Sequence, residues 1–158
     1  MLTISHRLTS LLEKRGVPFS VIGHRVDYSA QKTAADTGTP GREFAKVVVL
    51  RIDGQHAMVV LPATEFVDLA QIRQLLDATH VYLVDEQKMQ ELFPDCEVGA
   101  EPPFGNLYGM PVYVSPTLAE DEYITFNAGS HIEVMRMAYA DYQKLVDPTV
   151  LDLVKRSA

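Results

Sequence analysis

Three places in this chain carry residue types that could do chemistry. Lys46 stands at the head of the apolar run "VVVL". At a strand end a lysine either snorkels to water or projects into a cleft to hold a phosphate or carboxylate. His131 follows "FNAGS" and precedes a β-like run, where it is either structural or a hydrogen-bonding pocket wall. Between them lies "VGAEPPFGNLYG", residues 98–109, with three glycines and two adjacent prolines. The prolines fix the backbone and the glycines admit positive φ, as in many turns. The same features would let a ligand approach the main chain at Gly99 and keep free N–H groups aimed. That is one way to build an oxyanion site without a charged side chain.

Other chemistries are poorly served. His6, His24, His56, His80 and His131 show no ligand spacing and there is no C-x-x-C, so neither a metal nor a cofactor is expected. No G-x-S-x-G elbow is present. Cys96 sits between Asp95 and Glu97, whose negative charge disfavours a thiolate. "GAEPPFG" has neither the lysine of a phosphate loop nor dinucleotide-binding spacing.

The elements that must position these residues follow from pattern. "ISHRLTSLLEKRG" repeats Ile4, Leu8, Leu11 and Leu12 at helical spacing, with Thr3 or Ser5 as cap and Gly16 as stop. "VPFSVI" reads as a strand, "SAQKTAADTG" as a helix capped by Ser29 and closed by Gly38, and "GTPGRE" as a turn. "AKVVVLRI", Asp53-Gly54 and "QHAMVVLP" predict a hairpin. A helix "DLAQIRQLLDA" follows, with Leu69, Ile72, Leu75 and Leu76 expected on its buried face. Then come strand "HVYLVD", helix "EQKMQELF", the Gly/Pro loop, and strands "PVYV", "YITFNA" and "HIEVMRM". Two C-terminal helices are expected, "ADYQKLV" and "PTVLDLVKR", the last capped by Asp147 with Pro148 at its first turn. This is a mixed α+β pattern over one domain, residues 1–158, without the strand–helix alternation of a doubly wound sheet.

At 158 residues, 47% hydrophobic and 22% charged, the chain can bury a proper core. No apolar run reaches membrane-spanning length, the N-terminus lacks a secretory pattern, and a single cysteine suits the cytoplasm. The net charge of −7 argues against coating nucleic acid by charge alone. Residues 1–51 nevertheless carry eight Lys/Arg against four acids, a balance of +4, while the remainder stands at −11. This permits a local basic patch or merely a solvated face.

Taken in order, "SAQKTAA", Lys46 with "VVVLRIDG", "VVLPA", "VDLAQIRQLLDA", "GAEPPFG", "PVYVSPTL" and "FNAGSHIEVMRM" resemble the YbaK/prolyl-tRNA-synthetase-associated editing-domain family. The likeness runs from about residue 5 to residue 147. It implies a curved, largely antiparallel mixed sheet surrounded by helices. It also implies hydrolysis of the ester joining a wrong small amino acid (alanine, serine, cysteine or proline) to the 3′-terminal adenosine of a tRNA. The partner is then the acceptor end of a mischarged tRNA, with a synthetase or elongation factor as a further candidate. By the same resemblance Lys46 engages the CCA end, Gly99 faces the aminoacyl carbonyl in a G-x-x-x-P motif closed by Pro103, and His131 lines the pocket. Tyr28, Phe104, Asn127, Gly129 and Ser130 are candidates for its wall. The chain departs from many relatives at Val47, where they carry a small polar residue.

The resulting expectation is attack by water, with backbone N–H groups near Gly99 stabilising the oxyanion and no protein base evident. Two other readings stay open at this stage: a non-catalytic module that binds aminoacyl-tRNA or a synthetase, and a hydrolase of another small acyl or phosphate ester.

Overall fold

The computed structural model describes residues 5–25 and 28–155. Its centre is the expected hairpin, β2 (Phe44–Ile52) against β3 (Gln55–Pro62), in register from Ala45–Pro62 to Ile52–Gln55. Asp53 and Gly54 close it at φ 47° and 85°, as a tight turn between right-twisted strands requires. Both strands are nearly continuous apolar runs because both faces are covered. Ala45, Val49, Met58 and Val60 enter the larger core, whereas Leu50, Val59 and Leu61 enter a second cluster with Ile72 and Leu153.

Six further strands complete the sheet: β1 (Ser20–Gly23), β5 (Val81–Leu83), β6 (Val112–Val114), β7 (Tyr123–Asn127), β8 (Glu133–Ala138) and β9 (Thr149–Val150). The main order is β1-β8-β7-β2-β3-β6-β9, and β5 also pairs with β2. The β1/β8, β7/β8, β2/β3 and β2/β5 ladders are antiparallel; β2/β7, β3/β6 and β6/β9 are parallel. The sheet is thus mixed, as expected. A separate ladder joins β4 (Phe66–Val67) to β10 (Val154–Lys155).

Around the sheet lie α1 (His6–Arg15), α2 (Ala30–Asp36), α3 (Leu69–Leu75), α4 (Glu86–Leu92), α5 (Pro116–Ala119) and α6 (Tyr139–Val146). Caps behave largely as read. Ser29 Oγ accepts from Lys32 N, and Gly16 takes the left-handed conformation after α1. Three expectations are corrected. The expected last helix is absent: Asp147, at φ 52°, terminates α6, and residues 149–150 and 154–155 join β6 and β4 instead. Of the apolar face proposed for α3, Ile72 is fully buried but Leu75 is 49% exposed. Ser5 occupies the N-cap position of α1 without capping it, because its hydroxyl donates to Asp95 (2.8 Å); Thr3 lies outside the described residues.

That last contact anchors α1. Asp95 also accepts from Tyr108 Oη (2.9 and 3.0 Å), with Arg7 Nε at 3.9 Å and its guanidinium over the Tyr108 ring. Burial pushes the Asp95 carboxyl up, but the hydrogen bonds and Arg7 outweigh it and hold it below the usual carboxylate range. A lowered folded-state pKa stabilises above the unfolded value and is lost as pH falls through the folded one. Asp95→Asn should therefore cost about 1–2 kcal/mol at neutral pH. In a chain of this size that is roughly 2–8 °C in Tm. The gap from the unaltered protein should narrow below about pH 4, which paired thermal melts at pH 7 and pH 3 would show.

Candidate active site

The two parallel strands β2 and β7 pair only at Phe44–Thr125 and Ala45–Phe126. Beyond that point β7 ends at Asn127 while β2 runs on to Ile52, and the pairing opens into a fork between them. The next residues on the two strands are Lys46 and Asn127, one on each side of the fork. A hollow of about 40 Å³ opens there, lined by Lys46, Gly99, Glu101, Asn127 and His131 together with Tyr28, Ala45 and Val47. By volume it holds a few waters or a small side chain.

The Gly/Pro loop forms the far wall and is stitched to the turn after β7. Glu97 N donates to Gly129 O (2.8 Å), and Gly129 N donates to Ala100 O (2.9 Å). His131 N donates to Glu97 Oε1 (3.1 Å), and His131 Nε2 donates to Val98 O (2.7 Å). From below, Tyr142 Oη donates to Pro103 O (2.7 Å). Buried amide groups demand such partners, and these contacts tie the loop to the other loop and to the core. The stiffness of the segment is therefore tertiary as well as local.

Gly99 sits at φ +88°, a conformation only glycine adopts freely. A Cβ there would lie 3.3 Å from His131 Cε1. His131 is 5% exposed, and its ring packs on the exposed Tyr28 ring at 4.7 Å. With Nε2 committed to Val98 O, His131 braces the loop and walls the hollow.

Lys46 is half-buried at the rim. Its ammonium lies 3.5 Å from Ala63 O and 4.5 Å from the Phe66 ring centroid. Among the described residues no carboxylate is within ion-pair distance of it. Glu65, which attracts it at longer range, is held by Ser115 Oγ and Thr117 Oγ1 at 2.8 Å each. Desolvation lowers the lysine pKa, with Glu65 opposing. The result is a cation at the mouth of a pocket with its charge only partly answered.

The named candidates thus divide. Lys46, Gly99, His131, Tyr28 and Asn127 surround the hollow. Pro103, Gly129 and Ser130 support it from behind: the first two through main-chain contacts, and Ser130 as a buried turn residue whose Oγ accepts from Ile132 N. Phe104 does not line it: the ring is fully buried between Phe126 and Tyr142. The expectation of free N–H groups in the loop also needs correction. Gly99 N–H donates to both carboxylate oxygens of Glu101, each at 3.0 Å.

Glu101 is the residue that sequence reading passed over. It is only 4% exposed, and burial raises its carboxyl pKa. The available signal was an acid held between a glycine and two prolines, but nothing local says that such an acid is buried. Cys96 is the opposite case, since burial pushes its thiol up to about 12 and leaves no thiolate.

Comparison with known proteins gives the family of the chain as a whole. Residues 24–145 match the aminoacyl-tRNA editing domain. The chain belongs to that family. Among editing-domain relatives, a protein of Escherichia coli K12 named multifunctional Ser/Thr-tRNA deacylase ProXp-y is 29% identical over 157 residues. The match covers 95% of this chain and 93% of that one. A crystal structure described as a candidate trans-editing enzyme for prolyl-tRNA synthetase superposes with a TM-score of 0.85 at 18% identity, covering 99% of each chain. A scaffold from computational epitope-backbone grafting gives the same TM-score and identity over 99% of this chain and 100% of its own. These two structures share the fold.

The basic residues of the N-terminal third do not all gather at this site. Lys46 lines the hollow, and α2, which carries Lys32, borders it. Arg51 lines a separate hollow with Lys88, and Lys14 and Arg15 end α1. Among the described residues no helix is long and apolar enough to cross a membrane.

Proposed function

We propose that this editing domain is a trans-acting aminoacyl-tRNA deacylase. It hydrolyses the ester between a small, wrongly attached amino acid and the 3′-terminal adenosine. The observation that carries this reading is the Gly99 amide: a backbone donor lining the hollow that already holds carboxyl oxygens at 3.0 Å. The developing oxyanion of the tetrahedral intermediate makes the same demand. Water adds to the carbonyl carbon and loses a proton. The intermediate collapses by breaking the bond to the ribose oxygen, which takes up a proton to leave free amino acid and intact tRNA. Lys46 holds the phosphate or ribose of the acceptor end at the rim.

Size sets the substrate. About 40 Å³ excludes bulky side chains but separates small ones weakly, since a single methyl discriminates only modestly. The Escherichia coli relative's name points to seryl and threonyl esters within that small class. The test is amino-acid release from a panel of tRNAs charged with serine, threonine, alanine, cysteine, proline and phenylalanine. The expected result is release of one or more small residues and none of phenylalanine. No release from any would reject hydrolysis and leave a binding module.

A further inference from the structure

Two residues that line the hollow carry acceptor groups with no Lys or Arg partner among the described residues. Glu101 is 4% exposed, yet among the described residues no Lys or Arg lies within ion-pair distance of its carboxylate. Its partner is the Gly99 N–H, two residues away. Lys46 lines the same hollow but directs its ammonium to Ala63 O and Phe66. Asn127, across the fork, has a buried side-chain oxygen with no hydrogen-bond partner. A buried carboxylate without a counter-charge and an amide oxygen without a donor are both costly, and each is relieved by a ligand bearing N–H donors and positive charge.

An aminoacyl ester supplies such a group on the carbon next to the one attacked. We propose that Glu101 and Asn127 Oδ1 seat the α-ammonium of the aminoacyl group, so that the site selects esters with a free amine. The inference rests on the deacylase reading above and assigns the recognition of the amine within that same pocket. As the ester carbonyl takes the Gly99 N–H, the Glu101 carboxylate gives up that donor and turns to the ammonium beside it. A hydroxyacyl ester, with hydroxyl in place of ammonium, has the same size and offers neither the charge nor three donors. Glu101 thereby positions the ester and takes no proton from water.

The proposal is tested with alanyl-tRNA and seryl-tRNA against their hydroxyacyl counterparts, lactyl-tRNA and glyceryl-tRNA. Each rate is divided by the uncatalysed rate. The unaltered protein should favour the amine at least tenfold. Glu101→Gln keeps the shape and an acceptor for Gly99 N–H. It should lose at least tenfold on the aminoacyl ester and less than threefold on the hydroxyacyl ester, with an unchanged or higher Tm. Equal loss on both esters would overturn the proposal and make Glu101 a base. No preference in the unaltered protein would overturn it as well. If the unaltered protein hydrolyses none of them, the deacylase reading fails on its own. The inference is then decided by binding of 3′-deoxy-3′-alanylamino-adenosine against its lactyl amide. Tighter binding of the amine, abolished by Glu101→Gln, supports it, and equal binding overturns it.

Discussion

Gly99→Ala should reduce deacylation about 100-fold while leaving the protein folded. Two effects combine. A side chain at φ +88° costs roughly 1–3 kcal/mol in backbone strain. The new methyl also lies 3.3 Å from His131 Cε1, and that ring cannot drift away easily. Its Nε2 is tied to Val98 O, its backbone N–H to Glu97, and one face to Tyr28. The strain is relieved most readily by turning the peptide at Gly99, which re-aims the N–H. Loss of one oxyanion donor costs on the order of 10²–10³ in kcat. Stability should fall by about 5 °C in Tm, in line with 1–3 kcal/mol in a chain of this length. Single-turnover rates under saturating enzyme separate the two effects. A variant that keeps a third or more of the activity would remove the Gly99 backbone from the mechanism.

The second large effect is expected at Lys46. Lys46→Met retains the apolar stem over Phe66 and deletes only the charge. A hydrogen bond to a charged group contributes about 1.5–3 kcal/mol, so kcat/KM should fall roughly 10- to 150-fold. If the partner is a phosphate, the variant's salt dependence should be shallower, because one fewer counterion is released. Stability should move the other way. Desolvation lowers the lysine pKa in the folded protein. A basic group with a lowered folded-state pKa penalises folding wherever it is charged, and the penalty fades as pH rises. At neutral pH Lys46→Met should therefore melt at the same temperature or higher. Activity of the unaltered protein should decline as pH rises through that lowered value. An active, salt-sensitive Lys46→Met variant would sink the assignment.

Much of this site could be read before the structure, and the reasons are local. Lys46 marks where an apolar strand begins, and Asp53-Gly54 fixes the hairpin that carries it. Gly99 and the following prolines announce unusual backbone. What sequence could not reveal depends on pairing between distant residues. "PTVLDLVKR" has a helical start signal and fair helical spacing. Yet Tyr113–Thr149 and Val154–Val67 ladders claim its ends for strands. β4 is two residues long and exists only because β10 reaches it. The α5 turn carries a local signal, Ser115 as cap with Pro116 behind it, in the stretch between "PVYV" and "YITFNA" to which the sequence reading assigns no element. Phe104 looked like a wall because it adjoins the motif, but a phenylalanine's fate depends on what lies beneath, and here Phe126 and Tyr142 do. Glu101 is the sharpest case. Its burial comes from the seam between loop and turn, which no short window of sequence contains.

The fork between β2 and β7 has one more consequence. Its opening angle is set where the strands still touch, at a two-residue ladder whose side chains include Phe44 and Phe126, both fully buried. Neither aromatic residue lines the hollow: Phe44 packs with Ala34, Ala63 and Val134, and Phe126 belongs to the larger core. Lys46 lies two residues beyond Phe44 and Asn127 directly follows Phe126, so a change of volume at either aromatic residue is expected to shift the pocket residue beside it. Substitutions at Phe44 or Phe126 are therefore expected to alter release across the panel of small amino acids, with every pocket-lining residue unchanged.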